Sequence, residues 1–319
     1  MKCFFYVMIF LFPFWIGSQE QALPENDVFS RKKVIVTSVA IGGTWTGSMI
    51  GLYQMWYKNE TKGKFTFEDD SHLWLQMDKA GHAYTSWMIG QFTGNLYKSS
   101  GLNNTQSALL GGAIGLGYQT TFEIFDGYSQ GYGFSWSDMA ANTAGSLLYT
   151  GQQLAFKDQP LKLKFSYSPS PYAVYRPEVL GNSTLSRLFK DYNGQTYWIS
   201  FSPTSFIPNS KIPKWLCFSF GYSADQKLKG DQNFYTTTLT TGETLKFNAR
   251  REYLISLDID LSKLPVRKVW LKKTLEQLLQ AMLQQQQEQQ QGEKNQNAGG
   301  QPGFGPAGGF GAGGGMSML

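Results

Sequence analysis

The sequence predicts an α+β protein: a four-helix, membrane-associated bundle, then an antiparallel β-sheet, with a disordered C-terminal tail. Three observations predict it. Four long uncharged runs lie between residues 31 and 157. From about Leu161, apolar residues alternate with polar ones. After Gln284 the chain is nearly all glutamine and then mostly glycine. With 319 residues the chain can bury a sizeable core. Charged residues make up 16% and aromatic residues 15%, an unusual pairing for a cytosolic protein. The net charge of +5 is spread along the chain, so no nucleic-acid groove is predicted.

Residues 1–18 read as a secretory signal peptide. Lys2 supplies the positive end, residues 3–15 the apolar run, and Gly17 and Ser18 the small residues before a cut. An uncleaved anchor is the alternative, but the run is short for a bilayer. Cys3 would leave with this segment, and Cys217 would then have no intrachain partner. Cys3 also precedes most of the apolar run, which does not suit lipid attachment. Residues 19–30 are polar and read as a flexible mature N-terminus.

Arg31, Lys32 and Lys33 open the helical module, residues 31–157. Residues 34–57 are uncharged and long enough to cross a membrane. Gly43, Gly47 and Gly51 recur every four residues, a spacing that lets another helix approach closely. The second run, 80–97, carries Gly90 and Gly94. The third, 109–122, carries Gly111 and Gly115, with Asn104 or Thr105 as the cap. The fourth, 139–156, carries Ala141 and Gly145, with Ser135 and Asp138 spaced as a capping box. Four helices packed through small-residue faces are expected. The runs are rich in Gly, Thr, Ser and Gln. Export also places the mature N-terminus outside, where three basic residues are disfavoured. Spanning helices and a bundle lying at a membrane surface therefore both remain open.

Residues 158–265 carry the period-two pattern of strands. Leu161, Leu163, Phe165 and Tyr167 alternate with polar residues. So do Leu216, Phe218, Phe220 and Tyr222, and then Tyr253, Ile255, Leu257 and Ile259. Residues 197–201 and 234–247 add strands, the latter turning at Thr241-Gly242. Five to seven strands fall short of the roughly eight of the smallest closed membrane barrel. An open sheet follows. Residues 266–284 read as an amphipathic helix, with Leu271, Leu275, Leu278, Leu279 and Met282 on one face. Residues 285–319 are too poor in apolar side chains to order.

The polar residues of the helical module fall at three places. Asp78, Lys79 and His82 open the second helix. Glu123 and Asp126 end the third. Ser137, Asp138, Asn142 and Gly145 open the fourth. In an antiparallel bundle these places share one end. Asp78 and His82, four apart, share a helix face, so a carboxylate could orient an imidazole that acts as general base. Each residue also has a structural explanation, as a cap, a turn or an interhelical hydrogen bond. One histidine with carboxylates lacks the spacing of a zinc-protease helix, and no Cys cluster exists, so no metal and no other cofactor is predicted. Ser86 lacks a nucleophile-elbow motif.

The order D-K-x-x-H, an acidic helix end, then S-x-D-x-x-x-N-x-x-G resembles the VanZ-like family. It is more similar to the YfiM-like predicted periplasmic lipoproteins of Gram-negative bacteria. It is carried by Asp78, Lys79, His82, Glu123, Asp126, Ser135, Ser137, Asp138, Asn142 and Gly145. The segments 191–198 and 251–260 look like an extension found in envelope proteins of this group. The resemblance implies the periplasm or outer membrane and a membrane or envelope-protein partner, but no defined reaction. The missing lipid-attachment cysteine departs from it. The leading expectation is an exported envelope protein with a structural or assembly role. The alternative is a membrane-surface enzyme acting on a lipid or cell-wall precursor, with His82 as base. Convergence of His82, Glu123, Asp126 and Asp138 would favour the second reading, and helix-capping carboxylates the first.

Overall fold

A computed structural model describes residues 29–58, 60–207, 210–260 and 263. The expected signal peptide, most of the 19–30 segment, the 266–284 helix and the 285–319 tail lie outside them. Helices come first: α1 (Arg31–Trp56), α2 (Met77–Ser99), α3 (Asn104–Gly127) and α4 (Trp136–Phe156). Their starts follow from local chemistry. The Ser30 hydroxyl accepts from the Lys33 N–H. Asn103, one residue before the expected cap, forms a complete capping box with Gln106 and so starts α3. Ser135 caps α4 by accepting from the Asp138 N–H, but the Asp138 carboxylate turns to Lys79 instead of closing the box.

Three of the helices meet through small residues, as the glycine spacing predicts. A Cβ on Gly111 would lie 2.4 Å from the Gly90 carbonyl, and one on Gly145 would lie 2.0 Å from the Ala83 carbonyl. Only glycine permits these backbones to touch. The first helix corrects the expectation. Gly43, Gly47 and Gly51 have nothing within 4 Å of an added Cβ. α1 instead lies along α3 through Trp45 on Tyr118, and through Tyr53, Trp56 and Tyr57 against Phe122 and Phe125. Its upper turns join α2 by Thr37–Ser100 and Ser38–Tyr97 hydrogen bonds. Among the described helices, α1 is long and apolar enough to cross a membrane. The glycines that were expected to pack α1 face outward because its aromatic side, with more apolar area to bury, faces the bundle.

The strands number six among the described residues: β1 (Leu161–Tyr167), β2 (Gln195–Phe201), β3 (Leu216–Asp225), β4 (Phe234–Thr238), β5 (Thr244–Asn248) and β6 (Arg250–Ile259). Strands β1, β2, β3 and β6 form one antiparallel sheet in that order, and β4–β5 is a separate hairpin. Gly242 in its turn has φ +84, which suits glycine. Two short helices between β1 and β2, α5 (Pro177–Leu180) and α6 (Thr184–Lys190), were not expected. Ser183 and Ser186 cap α6 reciprocally, a signal present in the sequence but hidden by its shortness.

The sheet meets α2 through Tyr84, whose ring lies 5.8 Å from Phe165 and 5.9 Å from Tyr197. Gly81 leaves room for the Tyr197 hydroxyl. The chain enters α2 through a left-handed turn, with φ of 48, 54 and 61 at Trp74, Leu75 and Gln76. Three consecutive non-glycine residues in this region carry strain of order 1–3 kcal/mol each. The sheet side offsets it. The Trp74 N–H donates to the Gly230 carbonyl, the Tyr222 hydroxyl to the Leu75 carbonyl, and Arg251 to Gln76 Oε1 at 2.6 Å. Leu75 is buried with Met77 and Ala224. The β-region thus fixes where Asp78, Lys79 and His82 begin.

Candidate functional site

The three sequence clusters meet at one end of the bundle, joined by a loop residue. The Lys79 ammonium lies 2.7 Å from Asp70, 2.8 Å from Asp78 and 2.9 Å from Asp138. Asp70 Oδ1 also accepts from the hydroxyls of Ser135 and Ser137. This knot ties the loop before α2 to the first turns of α2 and α4. Burial would raise Asp70, but hydrogen bonds with Asp138, Lys79, Ser135 and Ser137 outweigh it and hold the carboxyl well below its usual range. Burial would lower Lys79, but Asp78 and Asp138 overcome it and raise the ammonium's pKa.

His82 lies next to this knot, one helical turn further on. Its Nδ1 is 3.0 Å from Asn142 Oδ1, 3.2 Å from Gln119 Nε2 and 3.6 Å from Glu123 Oε1. Its Nε2 is 3.9 Å from Asp138 Oδ1. The imidazole thus lies between two carboxylates from different helices. Its side chain retains 20% exposure, whereas Glu123 retains 1%. With the ring proton on Nδ1, the Asn142 carbonyl oxygen accepts it and Nε2 keeps its lone pair. Glu123 Oε2 accepts from the Ser135 N–H. Among the described residues, its Oε1 has no hydrogen-bond partner, nor has Asn142 Nδ2.

The carboxyls titrate far apart. Burial, with the nearby Asp138 and Asp126 charges, pushes Glu123 up to about 9. Burial raises Asp138 to about 6, opposed in part by His82. Burial raises Asp126 to about 7, opposed by its hydrogen bond with Tyr57. At neutral pH, Glu123 therefore carries a proton while Asp138 is largely ionised. Such a split is how paired acids take different roles.

The outcome for each expected residue differs. His82, Glu123, Asp138 and Asn142 converge, and Lys79 and Ser137 belong to the adjoining knot. Asp78 pairs with Lys79, so the expected orientation of His82 by Asp78 is replaced by contacts from α3 and α4. Two side chains four apart on one helix can share a face and still choose different partners. Asp126 accepts from the Tyr57 hydroxyl at 2.6 Å and ties α3 to the end of α1. Gly145 is a packing position under Ala83. Asp70 and Gln119 were missed. Asp70 lies in a loop with no periodicity, and Gln119 sits in an uncharged helical run; only the tertiary fold brings either to His82 and Lys79. Among the described residues, two triads could hold a cation: Asp70, Asp78 and Asp138, and His82, Glu123 and Asp138. In the first, the Lys79 ammonium takes the central position.

Fold and site together define an α+β protein with a charge-dense centre at one end of a helical bundle. Within it, residues 64–150 match a family model described as predicted periplasmic lipoprotein (DUF2279). The match spans the loop carrying Asp70, all of α2 and α3, and most of α4, and so contains the whole centre. No curated protein and no solved structure gives a significant match. The signal-like N-terminus and this likeness agree that the protein is exported to the periplasm.

Proposed function

We propose that the protein is a periplasmic enzyme that acts on a lipid or cell-wall precursor, with His82 as general base and Glu123 as a positioning residue behind it. One observation carries this reading: a partly accessible imidazole sits between two buried carboxyls from different helices, Glu123 at Nδ1 and Asp138 at Nε2. His82 Nε2 would take the proton from an attacking water or hydroxyl, Asn142 holding the Nδ1–H. The imidazolium so formed would return that proton from Nε2 to the leaving group, while buried Glu123 beside Nδ1 holds the ring in place. Asp138 would stabilise the imidazolium that forms. Purely structural use explains this part poorly, because buried polar atoms without partners are costly.

The structural or assembly reading keeps one specific support, the Lys79 knot. Its hydrogen-bonded ion pairs join three chain segments and suit an architectural role. The test incubates the purified chain with lipid and lipid-linked precursor extracts of a Gram-negative envelope, with products read by mass spectrometry. Turnover by the wild type and by Gly47→Ala is expected. His82→Ala should lose at least about a hundredfold while melting normally, the size typical of a general base, and Glu123→Gln should shift the pH profile of turnover. Full activity in folded His82→Ala would rule out His82 as the base, and no turnover by the wild type would rule out the enzyme reading.

A further inference from the structure

The four-stranded sheet is inverted in polarity. Residues paired across its strands share a face, so each row can be read directly. One face packs its Phe165–Tyr197 end against α2; beyond that contact, on the same face, Ile199, Phe220 and Ile255 form a single row, and they are 50%, 51% and 70% exposed. The next row brings Phe201, Phe218 and Leu257 together, with the Phe201 ring stacked on Phe218 and Phe220. On the opposite face Ser200, Ser219 and Ser256 form a row that is almost fully buried. Here Asp258 accepts from Ser200, Ser219 and Lys164. A sheet in water buries its apolar row and exposes its serines. The apolar face is also too extended to be a scatter of single exposed residues.

The bundle repeats the inversion. Leu109, Ile124, Leu147 and Leu154 are exposed on its outside, while Ser86, Gln119, Asn142 and Ser146 are buried within. Beyond the end of β2, Phe206 and Ile207 are exposed on the connection to β3. Lys211 and Lys214 follow on the same connection and are exposed too. Apolar side chains beside flanking lysines are what an anionic bilayer surface accommodates, the rings entering the acyl boundary and the ammonium groups meeting headgroups.

We propose that the apolar face of this sheet, with the β2–β3 connection, is a lipid-docking surface that seats the protein on an anionic bilayer. A second copy of the chain could cover the apolar rows too, but exposed Lys211 and Lys214 beside Phe206 and Ile207 match anionic headgroups. The inference stands apart from the chemistry at His82.

An environment-sensitive fluorophore on Ile255→Cys or Phe220→Cys of the full chain bearing Cys3→Ser reads this surface locally, Cys217 being buried. Adding phosphatidylcholine vesicles containing phosphatidylglycerol should shift its emission to the blue. A label at Glu243→Cys on the separate hairpin should not respond. Lys211→Glu with Lys214→Glu should weaken the vesicle-induced shift at least tenfold in lipid concentration, and pure phosphatidylcholine should give a weaker response throughout. No shift at either sheet position, or a shift that needs neither anionic lipid nor the lysines, overturns the proposal. So does a shift that appears on protein concentration alone and tracks dimer mass in light scattering, which assigns the face to a second copy.

Discussion

Three carboxylates lie within 2.9 Å of the Lys79 ammonium, and all four side chains are at most 16% exposed. Removing the ammonium would leave them buried and uncompensated. Lys79→Met should therefore cost about 3–5 kcal/mol, the range for breaking a buried ion pair, measured by denaturant unfolding. Glu123 sets the pH dependence with the opposite sign from a salt-bridged acid. Its folded value of about 9 lies above the model-compound 4.5, so the folded state holds a proton that the unfolded chain releases. Stability should fall as pH rises from about 4.5 to about 9. Asp70, held low, works the other way, and its contribution is lost as pH falls below about 4. Melting temperature should thus peak in the mildly acidic range, and Glu123→Gln should flatten the alkaline slope. An unchanged slope in Glu123→Gln would show that another group controls it.

At the scale of elements, the same residue type has two meanings. Gly145 sits where any Cβ would strike the Ala83 carbonyl, whereas Gly47 faces open space. Gly145→Ala should destabilise the bundle by about 1–3 kcal/mol through overpacking. Gly47→Ala should be neutral or stabilise by up to about 1 kcal/mol, since alanine loses less backbone entropy in a helix. Equal effects in thermal melts would contradict the packing seen here. Both glycines fit the same four-residue spacing in the sequence. The spacing is a property of one helix, and contact is a property of two. The left-handed turn before α2 was equally hidden. Trp74, Leu75 and Gln76 are poor candidates for positive φ, and the turn persists because Tyr222 and Arg251, nearly 150 residues or more away in sequence, hold it.

For the whole molecule, polarity runs outward from a polar interior to an apolar exterior in both sheet and bundle. A protein so arranged should sediment with membranes at neutral pH and, being seated on their surface, be released by a carbonate wash. Leu147→Lys with Ile255→Lys should shift it to the soluble fraction without lowering its unfolding midpoint, because neither side chain is buried. Retention of the double variant in the pellet would mean that other surfaces hold it. The sheet also explains its own fusion to the bundle. It supplies Tyr197 against Gly81 and Arg251 against Gln76, and so sets the start of the helix that carries Lys79 and His82.

Periodicity and charge depletion in the sequence determined the helices, most of the strands, the export signal and the three acidic or basic clusters, because these are local properties of a chain. His82, Glu123, Asp138 and Asn142 were legible as members of one end of a bundle, since antiparallel helices must return there. What the sequence could not determine is who touches whom. Asp78 chose Lys79 over His82, Asp126 chose Tyr57, and Asp70 entered from a loop without pattern. Which row of each strand faces out was also undecided, because alternation gives two faces and only the neighbouring layer selects one. Those choices depend on distances between segments far apart in the chain, and the tertiary structure alone sets them.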